Sequence, residues 1–113
     1  MNPPLQPLRI PSGWTVEYNT GLYEIDPQPE LIPEDDRWKY FKEDMLQMVH
    51  ARFNRLLDLG WNPEGDLEDG GYKLVLYEGD FRGRLLHEFR TQDRAALVAE
   101  IERLLMAVWN RQI

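Results

Sequence analysis

Trp14, Val16 and Tyr18 alternate with polar residues, the two-residue period of a half-buried strand. Asn19-Thr20-Gly21 supplies turn chemistry, and residues 22–25 read as the return strand. Trp38, Phe41, Met45, Val49, Phe53 and Leu56 then recur at spacings of three and four. That spacing predicts one long amphipathic helix. Pro33 suits its first turn, and Glu34, Asp35 and Asp36 match the positive end of its dipole. Gly60 reads as its left-handed terminator, with Trp61 folding back on Leu56 and Pro63 preventing continuation. Residues 72–77 form a strong strand, residues 78–83 a turn, and residues 85–90 the returning strand. Thr91 is the expected N-cap of a second helix, with Leu97, Ile101, Leu104 or Leu105, and Val108 on its apolar stripe.

The expected order is ββαββα. Short connections favour an α+β domain: a four-stranded, mainly antiparallel sheet with both helices on one face. Phe41, Met45, Val49, Phe53, Leu74, Leu76, Ile101 and Leu105 are the expected core. The 113 residues suffice for one core, so residues 1–113 read as a single domain with a proline-rich extended arm at 1–12.

Charge changes the picture. The net charge is −7, which disfavours holding a nucleic-acid backbone and permits a basic protein partner. The acids are unevenly spread: residues 61–80 carry six acids against one lysine, a balance of −5. No cysteine is present, which removes disulfides and thiolate chemistry. No apolar run approaches the ~20 residues of a membrane span, and the first residues lack a signal-peptide pattern. A cytoplasmic setting without membrane contact is the expectation.

Catalytic and metal motifs are missing. His50 and His87 have no second histidine four residues away. His50 and Asn54 share a face on the expected helix, which reads as an ordinary surface pair. Asp66, Glu68 and Asp69 do not follow the alternating ligand spacing of a calcium loop. Ser12 lies outside a nucleophile elbow, and no glycine-rich phosphate loop occurs. The expectation is a non-enzyme with no cofactor and no metal. The four tryptophans read as core and cap packing. Tyr18, Tyr23, Tyr77 and Phe81, beside acids at strand ends or turns, read as interface anchors, with Phe81 at the hairpin tip foremost. The expected partner-binding set is therefore Asp66, Glu68, Asp69, Tyr77, Asp80 and Phe81.

Residues 11–19 with 23–27, residues 58–63 with 72–76, and residues 88–91 leading into the last helix resemble small cytosolic immunity proteins of bacterial polymorphic-toxin systems. The resemblance implies a small acidic protein that neutralises a cognate toxin by binding it, with no catalytic residues of its own. It carries no fixed toxin-contact motif to these positions. Beside that expectation stand a general interaction or adaptor domain, an acidic mimic of DNA, and an enzyme with a closed pocket near His50 or several carboxylates. The oligomeric state is not legible from the sequence.

Overall fold

The structure is a computed structural model and describes residues 3–113; the expected arm at 1–12 is seen from Pro3, and Met1 and Asn2 lie outside the described residues. Five strands form an antiparallel meander in chain order: β1 (Trp14–Asn19), β2 (Leu46–His50), β3 (Arg55–Asn62), β4 (Gly71–Glu78) and β5 (Leu85–Thr91). Two short 3-10 turns (Pro29–Leu31 and Glu34–Asp36) precede α1 (Arg37–Tyr40), a single helical turn. α2 (Arg94–Trp109) is the one long helix. The α+β class holds, but the sheet has five strands and the element order differs from ββαββα.

The long first helix does not form. Its middle is the β2–β3 hairpin. Leu46, Met48 and His50 point to the core from β2, and Leu57, Leu59 and Trp61 from β3, with more polar or smaller residues between them. Such two-residue alternation buries one full face of a strand. Asn54 at φ 59° turns the chain without glycine or proline, which hid the hairpin. Gly60 is thus a mid-strand residue facing Lys73, not a helix terminator, and Trp61 is a core residue rather than a cap contact. His50 lies on the core side of β2 and Asn54 in the turn, so they share no helix face.

Residues 22–25 do not return along β1. β1 pairs with β2, and the 19–21 turn sends the chain to the N-terminal arm. There Gln6 N–H donates to Leu22 O (2.9 Å) and Glu24 N–H to Pro4 O (2.8 Å).

α2 covers one face of the sheet through Leu97, Ile101, Leu104, Leu105 and Val108, all fully buried. Its N-cap is Asp93, two residues later than expected; the carboxylate accepts from Ala95 and Ala96 N–H (2.9 and 3.3 Å). Thr91 belongs to β5 and its hydroxyl accepts from Asp93 N–H. His87, on the core side of β5, meets Glu100 of α2 at 2.6 Å and ties the helix to the edge strand.

Six of the eight expected core residues are buried. Val49 points to the opposite face and Phe53 sits half-buried in the β2–β3 turn. The tryptophans also divide: Trp61 is buried, Trp14 half-buried, and Trp38 and Trp109 are 59% and 43% exposed. Neither of those two packs as core.

Candidate functional site

Among the described residues, α2 covers one face of the sheet and no helix of comparable length covers the other. The strand registers place Gln47 and Val49 of β2, Leu56 and Asp58 of β3, Lys73, Val75 and Tyr77 of β4, and Glu88 and Arg90 of β5 on the other face. β1 adds Tyr18 through an irregularity. Val16 pairs with Met48 on the core side, the register slips at Glu17, and Tyr18 pairs with Gln47. A bulge of this kind re-aims the following side chain. The Trp14-Val16-Tyr18 alternation therefore fails at its third member, because one extra residue reverses the face.

A shallow open groove of about 310 Å³ runs over this face. Glu43, Asp44 and Asp58 line its acidic side; Val75, Tyr77 and Phe81 line its apolar side. Leu56 and Val75 form the apolar floor of this face and stand apart from the main core cluster. Phe81 projects from the β4–β5 hairpin, 53% exposed, with its ring edge-on to Tyr77 at 5.5 Å. Apolar floor, exposed aromatic and acidic rim are the parts of a protein-docking surface.

Asp58 is the electrostatic centre. Its carboxylate accepts from Gln47 Nε2 (3.2 Å) and from the Tyr18 hydroxyl. Burial raises its pKa above the ordinary carboxylate value, and the Asp44 charge adds to that, outweighing both hydrogen bonds and Lys73. The Tyr18 phenol is pushed up to about 12, first by burial and then by the charges of Asp58 and Asp44. Lys73 also lines the groove, but one ammonium against the three carboxylates of Glu43, Asp44 and Asp58 leaves this part of it net negative.

Because the folded-state pKa of Asp58 is raised, its contribution to stability is fully present below the unfolded pKa, near 3.9. It is lost as pH rises through the folded value. Asn at 58 keeps an acceptor for Gln47 and offers its amide to the Tyr18 oxygen. Asp58→Asn is therefore expected to raise Tm at pH 7, with the gain shrinking to nothing as pH falls toward 3.5. Thermal melts of both proteins across that range check this; an equal or lower Tm for the variant at pH 7 contradicts it.

The sequence-derived contact set divides between two ends of the sheet. Tyr77, Asp80 and Phe81 lie at the end of β4 beside the groove. Asp66, Glu68 and Asp69 lie in the loop before β4, and the eight residues of β4 separate the two groups by about 24 Å. That loop is engaged in folding the chain. Asp66 O accepts from Trp61 Nε1 (2.9 Å) and Gly70 N–H (2.8 Å), and its carboxylate from Asp69 N–H (3.0 Å). Glu68 pairs with Arg37 at 3.0 Å, and Asp80 with Arg82 at 2.9 Å. Arg82 holds the Asp80 carboxyl below its usual range by hydrogen bonding.

Sequence reasoning singles out Tyr18 as an interface aromatic but misses Glu43, Asp44 and Asp58, and with them the grouping around Asp58. With residues 34–59 read as a helix, no sheet existed to bring β1 beside β3. The only signal available was Asp58, a lone carboxylate between Leu57 and Leu59 in an otherwise alternating stretch.

Among the described residues no group of three or more His, Asp or Glu is placed to hold a metal ion, and no helix is long and apolar enough to cross a membrane. Comparison with protein-family models, with curated proteins and with solved structures finds no match to this chain.

Proposed function

We propose that this chain is a non-catalytic binding protein that docks a basic protein partner on the face of its sheet opposite α2. The observation that carries this reading is the groove itself, where an exposed aromatic and an apolar floor adjoin Asp58, a carboxyl whose charged form is disfavoured by burial. Groups that break a local stability rule mark functional sites more often than chance. A partner's lysine or arginine between Asp44 and Asp58 would neutralise the strained charge. Phe81 would meanwhile lose its remaining water. In the immunity-protein reading, that partner is the basic surface of a toxin domain, and docking covers the toxin's active site. The cytoplasm of a bacterial cell is the setting this reading implies.

The two halves of the groove should act on different rates. Phe81→Ala is expected to speed dissociation at every salt concentration and to cost about 2 kcal/mol or more. Asp44→Asn with Asp58→Asn should slow association at low salt, and the difference should close as salt shortens the Debye length. The test captures the partner with the parent chain, then measures surface plasmon resonance at two ionic strengths. Parent-like binding by both variants rejects the groove and moves attention to the loop of Asp66, Glu68 and Asp69.

A further inference from the structure

A second concavity lies at the opposite edge of the core, where the β2–β3 turn meets the end of α2. It measures about 440 Å³ and is lined by Arg52, Phe53, Arg55, Val108, Arg111 and the last two residues. Its size is within the range of small-molecule pockets. Its charge is opposite to that of the chain as a whole: three arginines converge there in a protein of net charge −7.

The arginines come from two pieces of backbone, Arg52 and Arg55 from the β2–β3 hairpin and Arg111 from the end of α2. Arg55 is the anchored one. Its side chain is only 18% exposed, its Nη1 donates to Phe53 O (2.9 Å) and Asn54 O (3.1 Å), and its Nε, shielded from solvent, has no partner. Arg52 and Arg111 lie over the Phe53 ring, with guanidinium carbons 5.5 and 5.1 Å from its centroid. His50 stacks on that ring at 4.7 Å, interplanar angle 1°. His50 Nδ1 accepts from Phe53 N–H (3.2 Å), which fixes the ring pair. Neither Arg52 nor Arg111 forms an ion pair among the described residues. Arg55 also lies 3.9 Å from Glu78, a carboxylate shared with Arg84.

Backbone strain collects at the same place. The two non-glycine residues with left-handed φ among the described residues are Asn54 (59°) and Arg111 (60°). Asparagine tolerates that region; arginine rarely occupies it. Arg111 is kept there because the end of α2 winds tightly. Asn110, Arg111 and Gln112 N–H donate to Met106, Val108 and Ala107 O. These bonds also satisfy three carbonyls at the negative pole of α2, and the arginine charge offsets what remains of that pole.

We propose that this concavity is a binding site for a phosphate group, either free phosphate or a phosphate monoester. Three guanidinium groups lining one concavity can together meet the several oxygens of a tetrahedral anion, whereas a carboxylate offers two oxygens in one plane. The anion would relieve the mutual repulsion of the arginines, and Val108 with the Phe53 edge would border the organic part of an ester.

The test is NMR titration of the full chain with inorganic phosphate and, separately, with O-phosphoserine, against sodium chloride at matched ionic strength. Saturable shifts confined to the amides of residues 52–55 and 108–113, absent with chloride, are expected. Tighter binding of phosphoserine identifies a monoester site, and equal binding a free-phosphate site. Arg52→Gln and Arg111→Asn should each weaken binding by about tenfold or more. Asn is chosen at 111 because it accepts the left-handed backbone. Unchanged amide dispersion elsewhere shows that each variant is folded. Absent or non-saturable shifts, shifts equal to those from chloride, or parent-like binding by both folded variants overturn the proposal. Arg55→Lys is the second check. It keeps the charge and loses the planar fork, so unweakened binding by it reduces the site to a non-specific positive patch and rejects the geometry argued above.

Discussion

Truncating Trp61 to alanine is expected to remove about 3–5 kcal/mol of stability. The indole is fully buried, edge-on to Phe41 at 4.8 Å and to Tyr72 at 4.9 Å. Its loss leaves a cavity that the two remaining rigid rings, Phe41 and Tyr72, cannot close. The indole N–H also donates to Asp66 O at 2.9 Å, and so ties the acidic β3–β4 loop to the core. Truncation leaves that carbonyl with Gly70 N–H as its remaining donor. The effect should therefore appear twice: as a lower denaturation midpoint, and as faster amide exchange in residues 63–70. Against a usual domain stability of about 5–15 kcal/mol, the loss is a large fraction. A change below 1 kcal/mol would show that Trp61 is not the centre of this core.

Trp61 suits both a helix terminus and the core side of a strand, and the chain around it shows which elements a sequence pattern discloses. The second half of the chain was legible. Residues 72–77 alternate cleanly, a glycine-bearing turn follows, and α2 has its apolar stripe at Leu97, Ile101, Leu105 and Val108. In the first half, one set of residues satisfied two periods. Phe41, Met45, Val49 and Phe53 are four apart, which fits a helix face and equally skips two strand positions at a time. Leu46, Met48, Leu57 and Leu59 lie off that stripe, and all four are fully buried. Their alternation was the stronger signal. It was masked because the hairpin turns at Asn54 and because Gly60 resembled a helix terminator.

The site inherited the same error. Phe81 and Tyr77 were recognisable as an exposed pair because their hairpin was recognised. Asp58 and Tyr18 come together only through a sheet order and a register slip, and a single sequence carries neither. The acidic run at 61–80 misled in another way. Charge counted along the chain ignores direction, and β4 carries the two ends of that run apart. Glu68, meanwhile, is matched by Arg37 from a different segment.

Gly60 joins the fold to the groove, and Gly60→Ala is expected to cost about 3 kcal/mol or more. A methyl group built on its α-carbon would lie 1.9 Å from the carbonyl oxygen of Glu43. The obstacle is backbone, so no side-chain rotation relieves it. The close approach exists because residues 42–45 run beside β3. Trp61 N–H donates to Lys42 O at 2.7 Å, and Met45 N–H to Leu59 O at 3.0 Å, one on each side of Gly60. A side chain at 60 must push Glu43 outward and stretch both bonds. Glu43 and Asp44 are also the acidic lip of the groove. The same substitution should therefore displace the charges proposed to steer a partner, and weaken association more than stability alone explains. Two measurements separate these effects: chemical denaturation for the stability loss, and association rate at low salt under conditions where the variant remains folded. A stability change under 1 kcal/mol would mean that the 42–45 segment yields easily. Parent-like association by a folded variant would mean that Glu43 and Asp44 take no part in steering.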